Sequence, residues 1–202
     1  MAFVEIKQEH PVFSPLLRRY TLEEFWALPD PEDRFHYDLI GGHLFMVPPP
    51  DSPHGRLDSR LNRLLVEFLF KHELQGEVLH PREAIYTSAT YLEPDMMYVS
   101  EELRLQMGRK RYSADIVFEY ASKSTAVYDR TTKADTYLAL GVRELWIVDS
   151  STKTIEVRHP GTYEDKPIWE VRLYSQVDWA ESKVLQGWRV SVEELFEGLS
   201  EE

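Results

Sequence analysis

The chain has 202 residues, 43% of them hydrophobic, and a formal charge of −12 from 23 basic and 35 acidic side chains. That is enough apolar material for one substantial core, and no run approaches the ~20 apolar residues that a bilayer-spanning helix needs. The absence of cysteine removes disulfides, thiolate nucleophiles and thiolate zinc sites, while the acidic balance works against non-specific attraction to nucleic acid. Residues Met1 to His10 lack the basic-then-apolar layout of a secretory signal, so a cytoplasmic protein is expected. With no repeat, low-complexity tract or interdomain linker, residues 1–202 read as a single domain with its core at about 20–196.

In chain order, Thr21-Leu-Glu-Glu24 is a capping box and opens a short helix, stopped by Pro29, Asp30 and Pro31. His36–Ile40 and His43–Val47 flank Gly41-Gly42 as a β-hairpin, and Pro48-Pro49-Pro50 forces an extended exit. Ser52-Pro53 suits a helix start. The helix beyond carries Leu57, Leu61, Leu64, Leu65, Phe68 and Leu69 at helical spacing and ends near Leu74 or Gly76. Strands are predicted over Arg82–Thr87, Asp95–Val99 and Asp115–Glu119, the last an apolar run bounded by acids that fits a strand buried on both faces. A helix follows over Arg130–Leu140, stopped by Gly141, then a strand over Val142–Val148 closed by Asp149. Thr154–Arg158, Ile168–Tyr174 and Val184–Val190 read as strands of a meander, and Ser191–Phe196 as a short capped helix. This order implies an α/β fold, a mixed sheet with helices on its faces.

Three residues in this frame carry chemistry. Asp95 and Glu119 lie on neighbouring strands, and Lys133 lies on the next helix one turn before Tyr137. Two carboxylates can hold a divalent cation that keeps several waters, and a carbonyl near Tyr120 can add a ligand. An ammonium can orient a water and offset charge developing on a phosphorane. Arg130, Lys133, Ala134, Tyr137 and Leu138 share a helical face by spacing. Asp115 is expected to cap its strand, and Asp129 and Arg130 to pair at the helix start. Tyr137 is expected to pack or to donate a hydrogen bond to the site. His54, at a helix start after prolines, is structural or lines the site. Arg104, Arg109, Lys110 and Arg111 form a basic run between the two acidic strands, either a phosphate-contacting loop or a solvated one. There is no His-Glu-x-x-His, Gly-x-Ser-x-Gly, phosphate-binding Gly-x-x-x-x-Gly-Lys loop or dinucleotide fingerprint.

Pro94-Asp95, Asp115-Ile-Val-Phe-Glu119, Ser122-x-Ser124-Thr125, Asp129-x-x-x-Lys133-x-x-x-Tyr137 and Gly141-Val-Arg-Glu-Leu-Trp-Ile-Val-Asp149 occur in that order. Together with Tyr37-Asp-Leu-Ile-Gly-Gly-His-Leu44, the stretch Pro48–His54 and the closing segment Gln186–Phe196, they resemble the bacterial Uma-two family of the PD-(D/E)XK nuclease superfamily. The resemblance covers about Tyr20 to Phe196. It implies a restriction-endonuclease-like mixed β-sheet flanked by helices, here with an added β meander. It also implies an endonuclease that cleaves DNA with Mg²⁺ or Mn²⁺ at Asp95, Glu119 and Lys133. Asp38 is then an outer metal ligand, and superfamily analogy implies a homodimer; no membrane association is expected, because no apolar run is long enough to span a bilayer.

The chain departs from the family pattern in its hairpin, where Asp38, Gly41 and His43 stand for Glu, Asp and Glu. In many such nucleases the lysine lies two residues after the acid, where this chain has Ala121, so Lys133 has to reach in from the helix. Lys123, at a place where the family usually has proline, either supplements Lys133 or faces solvent. The rival reading is a nuclease-like fold that acts as a nucleic-acid or protein interaction module with weak or lost catalysis, which the acidic surface favours. RNA stays open as the alternative substrate.

Overall fold

The computed structural model of the chain describes residues 18–31, 35–49, 52–81, 83–122 and 124–199. The Thr21 side chain accepts from the Glu24 amide while the Glu24 carboxylate accepts from the Thr21 amide, and this reciprocal cap opens α1 (Leu22–Trp26). Next come the hairpin strands β1 (His36–Ile40) and β2 (His43–Val47). Gly41 and Gly42 at its turn have φ of 57° and 83°, a conformation that glycine adopts without a Cβ clash. The long helix α2 (Ser52–Lys71) leads to β3 (Gly76–Leu79), β4 (Ile85–Tyr86), β5 (Tyr91–Leu92), β6 (Met96–Ser100), α3 (Glu101–Met107) and β7 (Ile116–Ala121). A helical crossover follows, made of α4 (Ala126–Tyr128), a π-helical turn (Asp129–Lys133) and α5 (Ala134–Ala139). The chain closes with β8 (Glu144–Asp149), β9 (Thr154–Tyr163), β10 (Lys166–Ser175), β11 (Trp179–Glu181), β12 (Arg189–Ser191) and α6 (Val192–Phe196).

Among the described residues the main sheet has six strands in the order β10-β9-β8-β7-β6-β3; beside it lie a four-stranded sheet, β2-β1-β5-β4, and the β11-β12 pair. In the main sheet β7 and β8 run parallel and the other neighbours antiparallel. A parallel pair needs a crossover rather than a tight turn, and the α4–α5 segment supplies it. Two strands of the expected meander, Thr154–Arg158 and Ile168–Tyr174, fall within β9 and β10 and pair with each other beside β8 at one end of the sheet.

Alternation along the central strands sorts the core. Met96, Tyr98, Ile116, Phe118, Tyr120, Trp146 and Val148 point to one face, against Leu57, Leu61, Leu65 and Leu69 of α2 and Leu195 and Phe196 of α6. Met97, Val99, Val117, Ala121, Leu145 and Ile147 point to the other, against Ala134 and Tyr137 of α5. Glu119 falls between Val117 and Ala121, so the same alternation turns its carboxylate toward the crossover helix.

Gly76 admits β3 close to β6: a Cβ there would lie 2.7 Å from both Tyr98 Cε2 and the Val99 carbonyl oxygen. Backbone cannot yield as a flexible side chain does, so Gly76→Ala should destabilise the fold by about 1–3 kcal/mol. The midpoint of urea unfolding measures this, and an unchanged midpoint would contradict the close approach.

Several sequence expectations are corrected. The connection after β6 holds a helix, α3, capped by the Ser100 side chain on the Leu103 amide. The short strands β3 and β5 carry no alternation long enough to read. Val184–Val190 is not a strand: the Trp188 amide bonds to the Leu185 carbonyl in a turn, Gly187 sits at φ 85°, and pairing begins only at Arg189. The crossover helix starts at Ala126, ahead of the predicted Arg130. The strand predicted over Arg82–Thr87 narrows to Ile85–Tyr86. Ser52 is already helical, one position inside the expected cap. Arg82, Pro50, Lys123 and the amino-terminal residues 1–17 lie outside the described residues.

Candidate active site

Asp95 immediately precedes β6, and the β6–β7 register, with Met96 opposite Phe118, brings it beside the carboxyl end of β7. There its Oδ2 accepts from the Tyr120 amide at 2.7 Å, and its Oδ1 lies 3.2 Å from His54 Nε2. Glu119 is 1% exposed. Its Oε2 accepts from Lys133 Nζ at 2.9 Å and its Oε1 from the Tyr137 hydroxyl at 2.5 Å. The three principal sequence candidates therefore meet, and His54 and Tyr137 both touch them: His54 fixes Asp95, Tyr137 fixes Glu119.

The π turn explains how a helix delivers the lysine. One extra residue per turn changes the phase of the side chains, and such turns recur at functional sites. Here both Asp129 and Lys133 are buried and their charged ends are 3.9 Å apart. Arg130 leaves the face it was expected to share: it pairs with Asp149 at 2.9 Å and with Glu156, and not with Asp129. Asp38 of β1 is fully buried; its Oδ2 accepts from Tyr128 Oη at 2.9 Å and lies 4.0 Å from Lys133 Nζ. Asp129 and Tyr128 are the site neighbours that sequence reasoning assigned no such role. The four-residue interval from Asp129 to Lys133 was the available signal for the former.

Electrostatics follow from this packing. Burial pulls the Lys133 ammonium down, but Glu119, Asp38, Asp129 and Asp95 more than reverse that and hold it firmly protonated. Burial pushes Glu119 well above the usual carboxylate range against the pull of Lys133, with Asp95 and Asp129 adding to the rise. Asp129 is raised by burial too. Burial also pushes Asp95 up, but the His54 hydrogen bond and charge, Lys133 and the Tyr120 amide outweigh it and leave Asp95 low. A folded value above the unfolded one contributes stability that is present below the unfolded value and lost as pH rises through the folded one. The metal-free protein should therefore lose stability as pH climbs above about 4.5, the ordinary value for Glu119. Glu119→Gln should make that slope shallower without removing it, because Asp129 acts in the same direction. Urea midpoints across pH check this, and parallel slopes for the two proteins would count against it.

The donor set suits a hard divalent cation. Asp38, Asp95, Glu119 and Asp129 gather around one ammonium, and Asp38 Oδ1, buried, has no hydrogen-bond partner among the described residues. Asp95, Glu119, His54, Asp129 and Lys133 line a cavity of about 50 Å³, room for one or two water-sized groups. Among the described residues no group of three or more acids or histidines is placed to hold a metal ion together, so any ion held here would take only one or two protein ligands.

Other candidates lie elsewhere. Asp115 accepts from the Ser100 amide and from Arg143 at the opposite end of β7, as a strand cap. The basic run sits at that same far end: Arg104 pairs with Glu101 in α3, and Arg111 pairs with Glu83. Among the described residues no helix is long and apolar enough to cross a membrane.

The sequence profile of the Uma2 (Uma-two) family, described as "Putative restriction endonuclease", matches residues 22–200. The chain belongs to the Uma2 family. Its fold is also similar to the crystal structure of "a putative nuclease belonging to DUF820" from Anabaena variabilis, with a TM-score of 0.70 over 88% of this chain and 97% of that one at 17% identity. No curated protein matches the chain. The restriction-endonuclease-like architecture is thus common to this Uma2 chain and the Anabaena protein.

Proposed function

We propose that this Uma2 protein is a metal-dependent endonuclease that hydrolyses DNA phosphodiester bonds. The observation that carries the proposal is a buried ammonium, Lys133 Nζ, held 2.9 Å from Glu119 at the strand ends that also present Asp95. Asp95 and Glu119 would hold Mg²⁺ or Mn²⁺, with Asp38 as an outer ligand. When bound, such an ion polarises phosphate oxygens and makes a bound water more acidic.

The chain's own residues do the rest. Lys133, firmly protonated, donates toward the attacking water and offsets charge on the phosphorane. Tyr137 holds the Glu119 carboxylate from behind, and the Tyr120 amide and His54 hold Asp95, so neither acid has to reorganise when substrate arrives. Tyr120 is itself anchored through its hydroxyl to Asp58 of α2 at 3.3 Å. Cutting both strands of a duplex calls for two such sites, which the proposal supplies as a homodimer in the cytoplasm.

Manganese titration followed by calorimetry tests the reading. The wild type should bind Mn²⁺, Asp95→Asn and Glu119→Gln should lose it, and His54→Ala should weaken it about 10- to 100-fold by freeing Asp95. A wild type that binds no Mn²⁺ would favour the second reading, an interaction module. The charge of −12 supports that alternative because it opposes phosphate binding. RNA cleavage in place of DNA cleavage would keep the site and change the substrate.

A further inference from the structure

β10 is an edge strand of the main sheet and has β9 on one side only among the described residues. It is ten residues long, Lys166–Ser175, and exposed edges of this length are templates for pairing with another chain. Val171 is 54% and Leu173 60% exposed, although both are apolar and flank Arg172. Trp169 shares their face, and its indole N–H donates to the Ala134 carbonyl, which seats the strand on the crossover helix.

Glu170 and Arg172 have no ion-pair partner within the chain among the described residues. The Glu170 side chain lies across Gly161 of β9, and the Arg172 guanidinium leans on the Tyr174 ring at 5.1 Å. They sit one on each side of Val171. In an antiparallel pair formed by two copies on a two-fold axis, the numbers of opposed residues have a constant sum. The one register that sets Glu170 against Arg172 of a second copy is centred on Val171. That register forms two charge pairs at once. It also sets Trp169 against Leu173 and Val171 against itself, so the two most exposed apolar residues of the strand each meet an apolar one.

We infer that β10 is the surface on which a second copy of this chain docks, antiparallel and centred on Val171, joining two six-stranded sheets into one. The interface does not depend on the chemistry proposed for the site. A pair of edge strands is a small contact, so dissociation in the micromolar range is expected. The rival is an edge kept apart by its charges and by Pro167, a recognised way to prevent such pairing.

Sedimentation equilibrium of the full chain separates the two. The wild type should be a dimer. Glu170→Arg and Arg172→Glu should each weaken it by about ten-fold or more, since each converts two attractive pairs into two repulsive ones. An equimolar mixture of the two variants should recover the dimer, because each then opposes the other's charge. The chain has no cysteine, so Val171→Cys should oxidise to a disulfide-linked pair without competing thiols, and Phe70→Cys, on the exposed side of α2, should not. A monomeric wild type overturns the inference. So does a dimer indifferent to both reversals, or one whose mixture shows no recovery.

Discussion

Lys133→Ala and Glu119→Ala should each reduce metal-dependent nicking of supercoiled plasmid by at least about 100- to 1,000-fold, the loss that follows removal of one preorganised charge at a reacting phosphate. Lys133 offers a sharper comparison still. Lys133→Arg keeps a positive charge but replaces a compact donor with a planar fork, in a space where Nζ stands 2.9 Å from Glu119 and 3.9 and 4.0 Å from Asp129 and Asp38. It should remain folded and still be strongly impaired. Nicking is to be measured beside circular dichroism, at a temperature where every variant is folded. Activity that survives both alanine substitutions would remove the triad from the chemistry. Activity retained by Lys133→Arg alone would reduce the role of the lysine to bulk charge.

Stability is the second large effect, and it has the opposite logic. Breaking a buried ion pair by removing one partner costs about 3–5 kcal/mol, because the other charge is left uncompensated. Lys133→Met leaves Glu119, Asp38 and Asp129 buried without their common cation. The urea midpoint should drop accordingly, and the drop should shrink at low pH, where Glu119 and Asp129, both raised by burial, are protonated. The double variant Glu119→Gln/Lys133→Met should lie between the wild type and the single variant, since it removes the acid nearest the lysine but not the other two. Saturating Mn²⁺ should stabilise the wild type and not the double variant. Equal midpoints for Lys133→Met and the wild type would show that the three acids are neutralised in some other way.

Much of this candidate site is legible in the sequence, for a physical reason. An acid ending a wholly apolar strand, as Glu119 does, is costly to bury alone, so its position announces a partner. The capping box at Thr21, the hairpin glycines and the leucine periodicity of α2 are local signals, and the elements they mark form at nearly the expected residues. What the sequence hid was non-local or out of phase. The π turn breaks the 3.6-residue rhythm, so regular spacing put Arg130 with Lys133, whereas Arg130 turns to Asp149 and Glu156. Strands as short as β5, two residues, carry no pattern of their own and exist because β1 and β4 lie on either side. In α3 the local signal, Ser100 followed by Glu101 and Glu102, competes with the basic residues nearby, which suit a solvated loop equally well.

One contact ties the rim of the molecule to its centre. The Trp169 indole donates to the carbonyl of Ala134, the residue directly after Lys133. The outermost hairpin thus buttresses the one helical segment that carries the buried ammonium, from a strand three places removed from β7 in the sheet order. Peripheral and central are therefore poor labels for parts of this sheet. Whatever seats or unseats the edge strand also bears on how firmly the lysine is aimed.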